Sequence, residues 1–332
     1  MSVRRVLVTG GTGAVGPAVV GALTQAGWSV RVLAASGGEP GLLDPGVEIR
    51  VGDITDWPVV RAASEGVDAV VHMAALLHET GSPSAREEYE RINVGGTAAV
   101  VRASQEAGAR RVVFFSTIAV YGDLAGSVAD ETTPARPNTI YGETKLAGET
   151  LVLQAKTTDC SPLGTVLRVA AVYGPRVKGN YRRLLRSLAR HRFLPVGRGL
   201  NRRTLIFEKD LAAAAILVLQ HPAAAGKIYN VSDGHLHTIR EVIRAACSAL
   251  GRRPPRAHVP LRLALAGCLL AETTGRLVRV RPPFSCETLR KYTEDMAVLS
   301  QRIQAELGFR ALSDLSSGWR ATVEALRMAG EL

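Results

Sequence analysis

Tyr141 and Lys145 stand four residues apart in Tyr141-Gly142-Glu143-Thr144-Lys145, where the pattern opens a helix. They therefore share one helical face. A lysine ammonium beside a phenol favours the phenolate and lowers its pKa, which makes tyrosine a usable acid–base near neutral pH. Upstream, Ser116-Thr117 follows the apolar run Val112-Val113-Phe114-Phe115. That places a hydroxyl just after a strand, where open α/β sheets bind ligands. Thr117 can hydrogen-bond the oxygen whose proton Tyr141 takes. The trio suits removing a proton from an alcohol while a hydride leaves its carbon. A lone Tyr-x-x-x-Lys arises often by chance on a helix surface, so the reading needs a partner elsewhere in the chain.

That partner is Val6-Leu7-Val8-Thr9-Gly10-Gly11-Thr12-Gly13-Ala14-Val15-Gly16. An apolar run reads as a buried parallel strand. It breaks into glycine and resumes with helical spacing through Val19, Val20 and Leu23. Gly10 permits the turn, Gly13 lets the main chain approach a ligand, and Gly16 lets the helix pack close to the strand. The helix N-terminus, at Ala14 and Val15, then offers N–H groups and a positive dipole end to a pyrophosphate. The spacing Gly-x-x-Gly-x-x-Gly is looser than the G-x-G-x-x-G fingerprint.

The elements that must position these residues follow in order. Further strands are expected at 28–33, 48–54, 69–75, 111–115 and 166–170, with a long helix over 87–107 containing Asn93 and another over 141–156. Alternating strand and helix predicts a Rossmann-type, doubly wound parallel α/β sheet. His72 lies within a strand and reads as a core histidine. Beyond Pro175 the character changes: a basic helix, an isolated strand near Leu205-Ile206-Phe207, a helix over Leu211–Leu219, another strand at Lys227–Val231, then mostly helix with proline breaks, the last at Pro282-Pro283. We expect a cofactor domain over 1–175 with a returning segment at about 205–234. A smaller, mostly helical substrate domain is expected over 176–204 and 235–332.

Composition bounds the class. The chain has 332 residues, 46% hydrophobic and 21% charged, as in an ordinary globular protein. No apolar run reaches the length of a membrane span, and Met1-Ser2-Val3-Arg4-Arg5 leads straight into a strand, so a cytoplasmic location is expected. The four cysteines (Cys160, Cys247, Cys268, Cys286) lack metal-ligand spacing and read as buried thiols; no metal is expected. The net charge of +11 is carried mostly by arginine, with only six lysines. The densest basic stretch, Arg182 to Arg192, falls on more than one helix face and reads as solvated surface. Aromatic residues make up only 5%, without the interleaving that nucleic-acid binding uses, so a nucleic-acid partner is not expected. The apolar segment Leu261–Leu270, followed by Arg276, Arg279 and Arg281, could rest on a membrane. It reads instead as a core-packed helix with a solvated basic end, so membrane contact is not expected.

Jointly these motifs resemble the extended short-chain dehydrogenase/reductase family, and within it the sugar-nucleotide epimerases and reductases. The matching segments are Thr9–Gly16, Gly52-Asp53-Ile54-Thr55-Asp56, Val71-His72-Met73-Ala74-Ala75, Asn93-Val94-Gly95-Gly96-Thr97, Ser116–Gly122, Tyr141–Lys145, Leu167-Arg168, Val172–Pro175 and Tyr229-Asn230-Val231. The resemblance implies that Gly10, Gly13 and Gly16 hold the pyrophosphate, with Asp53 and Ile54 at adenine. It implies that Ala74 and Ala75 line the cofactor with Asn93 beside it. Tyr141 would be the acid–base, Lys145 would hold the nicotinamide ribose, and Thr117 would bind the reacting oxygen. It places Asn180 and Arg203 on the nucleotide of the substrate.

Departures narrow the reaction. Related 4,6-dehydratases carry an Asp-Glu pair after the threonine; here Ile118-Ala119 can neither give nor take a proton, which disfavours dehydration. Ala171 and Phe207 replace an asparagine and a histidine usual in UDP-galactose epimerase relatives. Ala34-Ala35-Ser36, at the end of the second strand, carries neither the acid that favours NAD nor the base that favours NADP. The expectation is an NAD-dependent 4-epimerase of a nucleotide-linked hexose or N-acetylhexosamine, acting as a homodimer paired through its long helices, with NADP not excluded. The alternatives are an NADPH-dependent 4-ketoreductase, a hydroxysteroid or other alcohol dehydrogenase, and a catalytically silent NAD(P) sensor; the last would have lost Tyr141 or Lys145.

Overall fold

The computed structural model describes residues 4–39, 41–77, 85–176, 179–278 and 286–332, with the side chains of 273–278, 287, 288, 290 and 291 also outside the description. The expectations for Arg279, Arg281, Pro282-Pro283 and the Arg276 side chain therefore lie outside the described residues.

The first half alternates as its hydrophobic pattern dictates. It comprises β1 (Arg5–Thr9), α1 (Gly16–Gln25), β2 (Ser29–Ala34), β3 (Glu48–Val51), α2 (Trp57–Ser64), β4 (Ala69–His72), α3 (Ala85–Tyr89) and α4 (Gly96–Glu106). Then come β5 (Arg111–Thr117), α5 (Ile140–Gln154), β6 (Gly164–Val169) and β7 (Ala171–Tyr173). The helix expected over 87–107 is divided. A π-helical turn over Glu90–Gly95 separates α3 from α4 and carries Asn93; Gly95 and Gly96 hold a helix weakly there. The later part holds α6 (Asn180–Ala189), β8 (Arg202–Arg203), β9 (Leu205–Phe207), α7 (Glu208–Gln220), β10 (Ile228–Val231), β11 (His237–Thr238), α8 (Ile239–Ala249), α9 (Leu261–Val278), α10 (Cys286–Thr293), α11 (Gln301–Leu307) and α12 (Leu315–Met328).

Seven strands form one parallel sheet in the order β10-β6-β5-β4-β1-β2-β3. Strand alternation sends side chains to opposite faces. Val6 and Val8 of β1 and Val113 and Phe115 of β5 join α1 and α7 in one core. Leu7, Val112 and Phe114 join α2, α4 and α5 in another. The expected isolated strand at 205–207 is not isolated: β9 pairs in parallel with β7, because the chain shifts out of the main sheet after β6. A third core lies in the helical C-terminal region, where Tyr173, Leu185, Phe207, Ile243, Trp319 and Val323 meet.

Helix α9 corrects an expectation. It is not core-packed: Leu263, Leu269 and Leu270 are 65%, 58% and 66% exposed. Its inner side is the weaker Ala264, Leu265, Cys268 and Ala271, all half-buried. Among the described residues no helix is long and apolar enough to cross a membrane. The cysteines also differ from expectation: Cys247 is buried, Cys268 and Cys286 are half-buried, and Cys160 is exposed, in a tight turn at φ +62°. In the basic stretch, Arg182 and Arg186 meet Glu331, the latter at 2.9 Å, while Arg183, Arg190 and Arg192 are exposed.

Candidate active site

Thr117 ends the central strand β5 in extended geometry and caps the 3-10 turn Ile118–Tyr121 by accepting the Ala119 N–H at 3.2 Å. Its hydroxyl hydrogen remains to donate outward. Helix α5 starts at a second cap, where the Thr139 hydroxyl accepts the Gly142 N–H at 3.1 Å. Two glycines press this helix onto the strand: a Cβ at Gly142 would lie 2.9 Å from the Ala119 carbonyl oxygen, and one at Gly148 would lie 2.7 Å from the Phe114 ring. The turn carrying Tyr141 is thereby held against the turn that follows Thr117.

Lys145 is 2% exposed, with Nζ 4.0 Å from the centroid of the Phe114 ring. Burial pushes its ammonium down to about 7, and Glu149 works against that shift. Burial pushes the Tyr141 phenol above its ordinary value, with Tyr89 adding to the rise. This departs from the lowered phenol expected of a tyrosine–lysine pair. Desolvation of the phenolate is the larger cause of the rise, and Lys145 does not offset it. His72 is a core residue as read: its ring nitrogens meet the Thr9 and Thr97 hydroxyls at 2.7 and 2.9 Å, and burial drives it down to about 3.

The glycine turn has the geometry of an anion cradle. Gly10 sits at φ +74°, and a Cβ there would come within 2.8 Å of the Ala74 nitrogen; one at Gly16 would lie 2.1 Å from the Gly11 carbonyl oxygen. Gly13 and Ala14 are exposed ahead of Val15, where α1 begins without a side-chain cap. Donors, a positive helix end and no intervening Cβ fit a dinucleotide pyrophosphate. Ala74 and Ala75 are half-buried beyond β4, and the Ala74 N–H reaches the Thr9 hydroxyl at 3.3 Å. Asp53 is exposed after β3. One carboxylate oxygen takes the Thr55 N–H and hydroxyl at 2.8 and 2.9 Å, and the other lies 3.4 Å from Arg91. Ile54 is buried against Gly96. Asn93 is buried and internally bonded. Its side chain takes the Leu76 N–H at 2.7 Å and donates to the Leu76 carbonyl and the Thr144 hydroxyl at 3.2 and 3.1 Å. It therefore ties the loop after β4 to the turn of α5 that precedes Lys145.

The two residues expected at the substrate nucleotide lie in the later part of the chain. Asn180 is exposed at the first position of α6. Arg203 is half-buried on β8, its guanidinium weakened by burial and supported by Tyr181, Glu294, Asp295 and Tyr292. It is not a surface twin of Arg202, which pairs with Asp295 at 2.9 Å. A cleft of about 450 Å3 opens in this region, lined in part by Arg198, Asn201, His258 and Leu261; it includes none of Thr117, Tyr141 and Lys145.

The sequence reading missed one buried group beside the trio. Glu149, 2% exposed, pairs with Arg168 at 2.7 Å and accepts the Ser116 hydroxyl at 2.5 Å. A signal was present: Glu149 continues the Tyr141–Lys145 spacing by one more turn, and Arg168 interrupts an apolar strand.

A parallel sheet with a glycine cradle at β1 and a tyrosine–lysine helix beside β5 defines a dinucleotide-dependent oxidoreductase-type enzyme. The model of the NAD dependent epimerase/dehydratase family matches residues 6–232, and the chain belongs to that family. Its cofactor is NAD. A 3 beta-hydroxysteroid dehydrogenase/Delta 5-->4-isomerase of Mycobacterium tuberculosis is 34% identical over 271 residues, covering 77% of this chain and 72% of that protein. A UDP-glucose 4-epimerase of Vibrio cholerae is 28% identical over 333 residues, covering 98% and 96%. Among solved structures, MoeE5 in complex with UDP-glucose and NAD superposes with a TM-score of 0.77 at 25% identity, covering 98% of this chain and 99% of that one.

Proposed function

We propose that the protein is an NAD-dependent 4-epimerase of a nucleotide-linked hexose or N-acetylhexosamine. The observation that carries the reading is the packing of the Tyr141 turn against the Thr117 turn, with Ile118-Ala119, and no acid pair, following the threonine. Such a site can take a proton from a secondary alcohol and return it, and has no group there to eliminate water. The full-length likeness to a UDP-glucose 4-epimerase supports the sugar class.

In this reading Tyr141 removes the proton of the C4 hydroxyl, and Thr117 donates its free hydrogen to the same oxygen. NAD held in the glycine cradle would supply the hydride acceptor and donor for C4. Lys145 stabilises the phenolate and holds the nicotinamide ribose. Gly10, Gly13, Ala14, Val15 and Gly16 hold the pyrophosphate, with Asp53 and Ile54 at adenine and Ala74, Ala75 and Asn93 along the cofactor. Asn180 and Arg203 take the substrate nucleotide, Arg203 through its forked donors on the diphosphate. Inversion would need the C4 ketone to turn over within the site, after which Tyr141 would return the proton to the C4 oxygen.

The same proposal divides the chain into a cofactor domain over 1–175 with 205–234, and a substrate lobe over 176–204 and 235–332. It also places the enzyme in the cytoplasm, in polysaccharide precursor synthesis, as a homodimer through α4 and α5, whose outer residues Ala98, Arg102 and Thr150 lie open.

A second reading, a hydroxysteroid dehydrogenase, draws on the mycobacterial relative and on the exposed leucines of α9, which begins at the cleft with Leu261. The test is to incubate the purified enzyme with UDP- and dTDP-linked hexoses and N-acetylhexosamines without added cofactor, and to follow the anomeric and C4 protons by NMR. Formation of the C4 epimer supports the epimerase. No epimer from any of them, with added NAD being reduced by a 3β-hydroxysteroid, would replace it with the second reading.

A further inference from the structure

Three acid–base side chains line one face of α5: Tyr141, Lys145 one turn on, and Glu149 one turn further. Glu149 is fully engaged. Its Oε2 accepts from Arg168 Nη2 at 2.7 Å and Nε at 3.1 Å, and its Oε1 accepts from Arg168 Nε at 3.0 Å and from the Ser116 hydroxyl at 2.5 Å. The Arg168 guanidinium also lies 4.9 Å from the centroid of the Tyr121 ring, whose hydroxyl donates to Asn230 at 2.8 Å. The network thus joins α5, β5, β6 and β10 immediately behind the reacting groups, and Ser116 is the neighbour of Thr117.

Burying an ion pair this deeply is not a cheap way to hold three elements together, since well-packed apolar residues of similar volume often do as well or better. Its location suggests another use. Lys145 is buried, where an ammonium is hard to keep, with the face of the Phe114 ring in cation–π contact. The groups facing it are His72 from β4, held neutral by burial, Tyr141 and Glu149 from its own helix, and Phe114 from β5; Arg168 from β6 stands behind Glu149. Among the described residues Glu149 is the anion that acts on Lys145.

We propose that Glu149, held by Arg168 and Ser116, is a positioning residue that keeps Lys145 charged next to Tyr141, while Arg168 keeps Glu149 aimed. Ser116 extends the same clamp to the strand end that carries Thr117. The inference rests on the reading of Tyr141 and Lys145 as the acid–base pair, and it is tested without turnover.

The chain has only six lysines, so the NAD-loaded enzyme labelled with 13Cε-lysine gives a resolvable titration, with Lys145 assigned by its loss in Lys145→Arg. In Glu149→Gln the Lys145 midpoint is expected to fall by about one pH unit, the usual reach of a close opposite charge. The double variant Glu149→Gln/Arg168→Met also removes the Arg168 charge that the single variant strands without its carboxylate, so it keeps the test open if the single variant does not fold; its midpoint is also expected to fall. If the pair only staples elements together, both variants lower the melting temperature and leave the Lys145 midpoint unmoved, which overturns the proposal. A shifted midpoint in an enzyme that epimerises nothing would leave this proposal standing and sink only the epimerase reading.

Discussion

The carboxyl edge of the parallel sheet and the helical region beyond residue 234 treat their side chains in opposite ways. At the edge, polar groups are buried and matched: Lys145, Glu149, His72, Asn93 and Arg168 are each at most 5% exposed, and hydrogen bonds lock most of them to named partners. In the helical region a core exists around Trp319 and Tyr173, yet α9 turns leucines outward. Chemistry that moves a proton needs donors and acceptors fixed closely. Recognition of a substrate body tolerates a looser surface and is where related enzymes can diverge. The difference fits the division proposed above, in which the sheet edge sets the reaction type and the helical region the choice of substrate.

Four predictions, made on five substitutions, break or sharpen this contrast. The largest effect is expected at the edge: Tyr141→Phe should lower turnover by about 10²–10⁴-fold while NAD binding, measured by calorimetry, is retained. Retained turnover would take the acid–base role away from Tyr141. In the helical region, Trp319 stacks 4.9 Å from Tyr173 and meets the edge of Tyr181 at 5.8 Å. Trp319→Ala should cost about 3–5 kcal/mol of stability, read by denaturant unfolding, with NAD affinity unchanged in the folded fraction. Equal loss of NAD affinity would mean that the two regions are not separable.

The third prediction is a pH dependence. The folded protein holds Lys145 at about 7 against an ordinary value of 10.5, so between those values the unfolded chain binds more protons than the fold. Stability then rises with pH across that window, and the desolvation penalty is fully present below pH 7. Lys145→Met removes the penalty: its gain in melting temperature should be greatest at and below pH 7 and fade toward pH 10.5. A gain that is flat across pH would mean that Lys145 is not depressed. The smallest effect belongs to α9, where Leu263→Gln and Leu270→Gln should each change stability by no more than about 0.5 kcal/mol; a loss of several times that would show the face to be covered.

Much of the edge was legible because its signals are local. Val6-Leu7-Val8 running into Gly10 names a strand and a turn, and Tyr141 with Lys145 names a helix face. The Glu149–Arg168 pair was missed: Glu149 continues the Tyr141–Lys145 face by one turn and Arg168 interrupts an apolar strand, but they sit 19 residues apart on different elements, and no spacing joins the two. The division of α3 from α4 escaped because the chain stays helical through the π turn and only its hydrogen bonding changes, to i→i+5. Helix α9 misled because Leu261-Arg262-Leu263-Ala264-Leu265 has one composition whether its leucines face a core or solvent. The depression of Lys145 depends on depth beneath the surface, which no spacing encodes.

The central claim is a self-contained redox cycle at Tyr141, in which the cofactor ends each turnover as it began and has no need to leave. The most direct test is to denature the freshly purified protein and identify the nucleotide released. The account predicts NAD in about a one-to-one ratio with the chain. Protein that releases no dinucleotide, and that prefers NADPH in titration, would contradict it and point to a reductase that exchanges its cofactor at every turnover.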